Sequence, residues 1–537
     1  MPPSLRRALH MSIRRPSPAL LAVCVALVTA ASAAQPRFDL LIRGGLVVDG
    51  SGGAPQRADV GVSGDRIAAL GDLAGATAAR VIDATGRYVT PGFIDVHSHA
   101  GPGLATADLK EGQPVLAQGI TTVLVNPDGG GPVDLAAQRA GFIEAGIGMN
   151  VGLMVPHGSV RSAVMGMTDR APTAAEQTRM NALVRDGMRA GAFGLSSGLY
   201  YAPGSYSKTA EVVAMAKEVT PFEGAYSSHI RDEADYGVGV VAAVDEVIAI
   251  AEQAGLVGVV THMKALGPAS WGLSKTLVAH IEAARARGVK VFADQYPYEA
   301  SGTSIVGALM PRWAQVGGRD VMARRITGEL RGKVRDEVKA NLARRGGADT
   351  FLVAEYEPDT SIEGRRLSDL AKAAGRDPDD YVLTLLENGD AGLVSFNMSE
   401  DDIAIIMQQP WTMTCTDGGL QPATDGKPHP RAYGAFPRKL RRYVRERGVV
   451  ALPFAIRSMT ALAAEVFGIR DRGVVRLGAF ADLLVFDLAR VQDTATYENP
   501  HQIATGLDTI IVNGRVARDD TRFTRALAGR VLRLERR

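Results

Sequence analysis

Cysteine is nearly absent from this 537-residue chain, which has only Cys24 and Cys415. Two thiols cannot build a disulfide framework or a cysteine-rich zinc module. A charge excess is missing too: 60 Lys+Arg stand against 58 Asp+Glu. Four of the arginines, Arg6, Arg7, Arg14 and Arg15, fall in the first 34 residues, which carry no acid, so the remainder sums to about −2. That balance gives no electrostatic reason to expect a nucleic-acid partner. Internal repeats and low-complexity tracts are absent. What is present is 46% hydrophobic and 22% charged residues, the composition of a folded protein, which excludes disorder and collagen-like repeats. The length suits one large domain with insertions, or two to four ordinary ones.

Residues 1–34 read as an export signal. The arginines form a basic start, 19–31 (ALLAVCVALVTAA) is an apolar run, and Ala31-Ser32-Ala33 is a small-residue cleavage site. The run falls short of the ~20 residues that span a bilayer, so no stable membrane anchor is expected after cleavage. Cys24 would leave with the signal, and Cys415 alone would remain in a periplasmic or secreted protein.

From 35 to 90 short Val/Ile-rich runs alternate with Gly and Asp turns, as strands do. RLGAFADLLVFDL (476–488) and TIIVNGRVARDD (509–520) repeat this texture. A small β-sandwich domain built from both chain ends, 35–90 and 466–537, is the expectation. Between them eight short apolar runs, starting near 93, 121, 150, 191, 225, 258, 290 and 411, alternate with helical patterns such as 173–190 and 239–255. This predicts an α/β fold, a TIM-type (β/α)8 barrel over 91–465, with its chemistry at the C-terminal strand ends. The stretch from about 300 to 410 is too long for a loop and predicts a helical insertion between the seventh and eighth strands. Within it, 331–347 is charged nearly all round and reads as a solvated helix.

Histidines fall where barrel chemistry would. His97 and His99 end the first strand and share a face, His229 ends the fifth and His262 the sixth, and Asp417 takes the same place on the eighth. Four imidazoles and a carboxylate gathered at one mouth form a metal site in ligand type and count. Zinc held this way lowers the pKa of a bound water to ~7, so the constellation can supply a hydroxide nucleophile at neutral pH. No nucleophile-elbow pattern surrounds Ser196, Ser197 or Thr416, which disfavours serine chemistry.

PGFIDVHSH, the flanking β stretches and ADLLVFD resemble the amidohydrolase superfamily. GLYYAPGSYS, YSSHIRDE, THMKALG, DQYPYEAS, TDGG and HPRAYGAFPRKL more narrowly resemble its D-aminoacylase (N-acyl-D-amino-acid deacylase) branch, over about 38–520. The resemblance implies His97 and His99 at the first metal position, His229 and His262 at the second, Asp417 as catalytic aspartate, and one or two Zn2+ per chain. It also implies an amide carbonyl as the hydroxide's target, with Asp417 passing the proton to the leaving nitrogen. Where that branch has a cysteine ligand in a TTVxxGNCG-like string, this chain reads TTVLVNPDG, with Asp128 in the cysteine's place. A carboxylate is a harder ligand than a thiolate, and NPDGGG is also turn chemistry.

By the same resemblance Lys264 and a tyrosine of DQYPY, Tyr296 or Tyr298, contact substrate. Lys264 and Arg431 could each pair with a substrate carboxylate. Tyr200, Tyr201, Ser301 and Ser304 are candidate pocket walls, Arg231 and Glu233 candidate supports for His229, and His157 and His429 candidate orienting residues. Cys415 reads as barrel core; His280 and His501 read as ordinary helix and surface residues. The substrate class implied is an N-acyl amino acid of D configuration or a short peptide. A dipeptidase on D-residue peptides, a cyclic-amide hydrolase, an N-acyl aromatic amide hydrolase and a non-catalytic binding barrel are the alternatives.

Overall fold

The computed structural model describes residues 37–535, so the expected export signal lies outside them. Strands from the two chain ends pair in one nine-stranded sheet. Arg37–Val47, Gln56–Ser63, Arg66–Gly71, Thr77–Asp83 and Tyr88–Pro91 supply the first half. Leu483–Phe486, Thr509–Val512, Arg515–Asp519 and Arg522–Phe523 supply the second. The halves join antiparallel, Thr90 opposite Leu484 and Val89 opposite Val485. Alternation explains why LLVF and TIIV are apolar without a break. Leu483, Val485 and Ile511 pack in the sheet's own core with Ile42, Val60 and Val89. Leu484, Phe486, Ile510 and Val512 face the other way, into the barrel's core.

The barrel strands are Phe93–Asp95, Ile120–Val125, Asn150–Leu153 with Val155–Pro156, Gly194–Gly198, Ala225–His229, Val257–Val260, Val291–Gln295 and Thr412–Thr414. All neighbours within the two barrel sheets pair parallel. The third strand breaks at Met154, its first segment pairing with the second strand and its second with the fourth. The cylinder closes between the first and last strands. There His97 O accepts from Asp417 N at 2.9 Å and His99 N donates to Gly418 O at 3.0 Å. The buried Asp95 carboxylate accepts from Thr416 N at 3.0 Å and Thr416 Oγ1 at 2.5 Å across the same seam. Burial pushes its pKa up to about 6, which those hydrogen bonds only partly oppose.

The insertion is mostly helical, as expected, and also carries a three-stranded antiparallel sheet of Ala300–Ser304, Phe351–Glu355 and Gly392–Phe396. ASGTS offers no apolar run by which sequence alone would mark a strand. Helix Arg331–Arg344 differs from its reading as fully solvated: Val334, Val338 and Leu342, spaced by four, are buried in the insertion's core. Its last turn reaches the barrel mouth, where a Cβ on Gly267 would lie 2.3 Å from Arg344 O. None of the described helices is long and apolar enough to cross a membrane.

Candidate active site

The site begins in the backbone. Asp128 (φ 54°), His262 (φ 35°) and Asp417 (φ 50°), each just past a barrel strand, are non-glycine residues in the left-handed region. That conformation costs about 1–2 kcal/mol per residue, and such strain collects where a side chain must be aimed. The Asp128 turn is pinned to the fourth strand: Gly129 N donates to Ser196 Oγ, which donates to Asn126 O. A Cβ on Gly198 would stand 2.2 Å from Asp128 O, so only glycine permits this approach. NPDGGG is thus a turn, and the turn delivers the Asp128 carboxylate to the histidines.

Asp128 is the hub. Its Oδ1 lies 3.3 Å from His97 Nε2, 3.6 Å from His262 Nε2 and 3.7 Å from His229 Nδ1. Its Oδ2 lies 3.3 Å from His99 Nε2. Asp417 Oδ1 sits 3.2 Å from His99 Nε2 and 3.5 Å from His97 Nε2. Two ligand atoms sharing one tetrahedral zinc stand about 3.3 Å apart, whereas N–H···O bonds cluster near 2.9 Å. Both ring nitrogens of His97 and His229, and Asp128 Oδ1, are buried without a hydrogen-bond partner. Orphaned groups at coordination spacing fit a metal ion better than they fit one another. His97, Asp128, His262 and Asp417 can converge on one point, and His229, Glu233 and His262 on another.

The field at this point favours positive charge. Burial alone would lower the pKa of His99 and His262, yet Asp128 and Asp417, with Glu233 beside His262, raise them to about 9 and about 10. Burial dominates at His229 and lowers it. Burial would raise Asp417, but Arg431 and the histidines hold it far below the carboxylate range. Arg431 Nη1 is 2.7 Å from Asp417 Oδ2, though its N–H makes no aligned hydrogen bond there or elsewhere.

Glu233, read from sequence as a support, is central. Its Oε1 is 3.1 Å from His262 Nδ1 and its Oε2 is 3.7 Å from His229 Nε2, the nitrogens opposite those facing Asp128. Lys264 Nζ binds Glu233 Oε1 at 2.5 Å and His262 Nδ1 at 2.7 Å. Arg231, by contrast, turns away to Glu246 and Ser205 O.

A cavity of about 1040 Å³ opens over the cluster, lined by Lys264, Arg431, Tyr296, Tyr200, Tyr201 and Ser301 among others. Tyr296 lies under the Arg431 guanidinium, 4.7 Å from ring centre to Cζ. Tyr200 stacks on His229 and Tyr201 packs edge-on against it. Burial would raise the Tyr200 hydroxyl, but Arg345 and Arg312 hold it below its ordinary value. Tyr298 corrects the sequence reading. It does not line the cavity: its ring packs against His429 and its hydroxyl reaches Pro430 O. Ser304 caps the helix Ile305–Ala308 and likewise stands apart.

The other four described histidines stand outside the cluster. His429 takes Arg431 N on Nδ1 and meets Ala300 O with Nε2, fixing the arginine's loop. His157 is buried 3.7 Å from Glu211, away from the cluster. His280 pairs with Asp245, and His501 with Tyr433. Cys415 is core. Sequence reasoning missed the roles of Asp95 and Arg345. Asp95 lies in PGFIDVHSH, but its partner Thr416 is 321 residues away. Arg345 ends a charged helix with no local signal.

Residues 80–518 match the model of the amidohydrolase family. The N-acyl-D-glutamate deacylase of Alcaligenes xylosoxydans xylosoxydans is 36% identical over 508 residues, covering 89% of this chain and 93% of that one. A D-aminoacylase with a binuclear metal centre is 34% identical, with a TM-score of 0.80 over 92% of this chain and 100% of that one. The N-acyl-D-glutamate deacylase of Bordetella bronchiseptica, solved with zinc and a phosphonate that mimics a tetrahedral intermediate, is 34% identical, with a TM-score of 0.79 over 93% and 100%. Agreement along nearly the whole chain, on a barrel whose mouth gathers imidazoles and carboxylates at coordination spacing, makes this protein a member of the amidohydrolase family.

Proposed function

We propose that the protein is a zinc-dependent hydrolase of the acyl–nitrogen bond in N-acyl-D-amino acids. The observation that carries this reading is the gathering of His97, His99, His229 and His262 around Asp128 at 3.3–3.7 Å, with Asp417 3.2 Å from His99 and 3.5 Å from His97, several of these atoms lacking any other partner. His97, His99, His229, His262, Asp128 and Asp417 would hold the ion or pair of ions. Bound zinc supplies an acidified water and polarises the amide carbonyl.

The chain's own groups do the rest. Asp417, kept ionised by Arg431, accepts a proton and returns it to the leaving nitrogen, which cannot depart unprotonated. Arg431, with an unmet N–H donor, and Lys264 receive the substrate's α-carboxylate above the Tyr296 ring. Glu233 is a positioning residue that fixes the His229 and His262 rings through their outward nitrogens. Tyr200 and Tyr201 shield His229 from water. The D preference is supported by the substrates named for the relatives, and the N-terminal pattern supports export to the periplasm or beyond.

The test is turnover by zinc-loaded protein of N-acetyl-D-Met beside its L-enantiomer, D-residue dipeptides and a hydantoin. D417N should reduce kcat at least about 100-fold for whichever is cleaved. Full activity in D417N would remove Asp417 from the chemistry, and preference for the hydantoin or a dipeptide would replace the substrate class.

A further inference from the structure

The cavity holds a second cationic focus that the proposed chemistry does not use. Arg345, where helix Arg331–Arg344 ends, is only 2% exposed yet lines the same cavity as the histidines. Its Nε donates to Tyr236 Oη at 2.5 Å and its Nη2 to Tyr200 Oη at 3.2 Å. Asn397, in the amide orientation that its neighbours' donors require, accepts from Nη1 at 3.2 Å. Every partner is neutral. Arg312 lies beside it, its Cζ 3.9 Å from the Tyr200 ring centre, and its N–H groups reach only Gly307 O and Met310 O at 3.4 Å. Among the described residues no carboxylate stands within 4 Å of either guanidinium.

This differs from most other cations buried around the barrel; Lys439, which also lacks an acid, rests on the Thr414 and Ser458 hydroxyls and does not line the cavity. Arg161 faces Glu211, Arg431 faces Asp417, Lys264 faces Glu233 and Arg472 faces Asp482. Taking a guanidinium out of water without an anion is strongly unfavourable. In a ligand cavity that arrangement is stable when the ligand brings the anion. The position suits a substrate: Tyr200, which Arg345 touches at the hydroxyl, stacks by its ring on His229 with centroids 5.3 Å apart. Arg345 is thus one tyrosine ring away from the candidate metal ligands, and separate from the Arg431–Lys264 pair proposed for the α-carboxylate.

We propose that Arg345, reinforced by Arg312 across the Tyr200 ring, binds a second carboxylate on the substrate, so that the protein selects N-acyl-D-amino acids carrying two acidic groups. The inference rests on the function proposed above. The second carboxylate has two possible sources, the amino-acid side chain or the acyl group, and N-acetyl-D-glutamate and N-succinyl-D-leucine present them separately.

The experiment compares kcat/KM for these two substrates with N-acetyl-D-glutamine and N-acetyl-D-leucine, in wild type, R345M and R345K. Wild type should prefer one of the diacids over its neutral counterpart by at least about 10-fold. R345M should cut that ratio about 50-fold, with R345K between, since a point charge replaces a planar fork. Equal losses on acidic and neutral substrates would make Arg345 structural and overturn the proposal, as would a wild type that prefers the neutral compounds. If R345M does not fold, R312Q at the half-buried neighbour should still lower the ratio about 5-fold, and an unchanged ratio there overturns the proposal. Calorimetric titration with N-acetyl-D-glutamate and N-succinyl-D-leucine separates the two readings. A diacid that binds wild type but not R345M, without being hydrolysed, would sink the proposed function and leave this site standing. Turnover of neutral N-acyl-D-amino acids with no diacid preference would do the reverse.

Discussion

Asp128 concentrates the chemistry of the site in one substitution. A carboxylate stands where the family pattern has a thiol, at the point nearest to four imidazoles. Thiolate selects soft ions and carboxylate tolerates hard ones. D128C should therefore shift the protein's preference toward Zn2+ and Cd2+ over Mn2+ by at least about 10-fold in competition binding, whereas an unchanged order would mean that Asp128 does not ligate. A second residue-scale expectation concerns Lys439, buried against Thr414 and Ser458 with no acid beside it. Burial pulls its pKa down to about 7 from the ordinary lysine value near 10.5. Below pH 7 the ammonium is charged in both folded and unfolded chains, and its burial penalty is present in full. Between pH 7 and 10.5 the unfolded chain alone holds the proton, so the penalty fades as pH rises, by up to about 1.4 kcal/mol per unit. K439M should gain most over wild type at pH 6–7 and least near pH 10 in thermal melts. At this scale His97, His99, His229, His262 and Asp417 were legible because each ends an apolar strand. Glu233 was underrated and Tyr298 misplaced, because which way a side chain turns after a strand ends is set by packing, not by spacing.

At the scale of elements, the site depends on short strands passing close to one another. Gly198 ends the fourth strand against the Asp128 turn, where a Cβ has no room. G198A should push that turn away from the histidines, costing about 1–3 kcal/mol of stability and lowering the metal retained after gel filtration, with total metal analysis as the check. Retention equal to wild type would show that the turn can move without releasing Asp128. The alternation of β and α patterns made the barrel readable, and the 110-residue gap in that alternation exposed the insertion. Its small sheet was not readable: Ala300–Ser304 has no hydrophobic period and becomes a strand by pairing with Gly392–Phe396. Helix Arg331–Arg344 hid its apolar stripe for a similar reason, three buried residues among charges that form ion pairs such as Arg331–Asp380.

For the molecule as a whole, the two-ended sheet and the barrel share one buried polar knot. Asp482 takes Arg472, Asn513 N at 2.7 Å and Asn150 Nδ2 at 3.1 Å, and Asn150 begins the barrel's third strand. D482A leaves Arg472 buried without its anion, a loss of about 3–5 kcal/mol. It should lower the melting temperature by several degrees while sheet and barrel still unfold in one calorimetric transition. Two separated transitions in the variant would show that the knot alone couples sheet and barrel. The seam between the first and eighth strands has a different implication. His97 and Asp417 meet across it after more than three hundred intervening residues, so a cation held by both would act as a removable cross-link around a very long loop. Clips of that kind exact their largest entropic toll on the unfolded chain. Capturing the ion and sealing the cylinder would then be a single event, and a chelator would strip the enzyme of its chemistry while loosening its hoop.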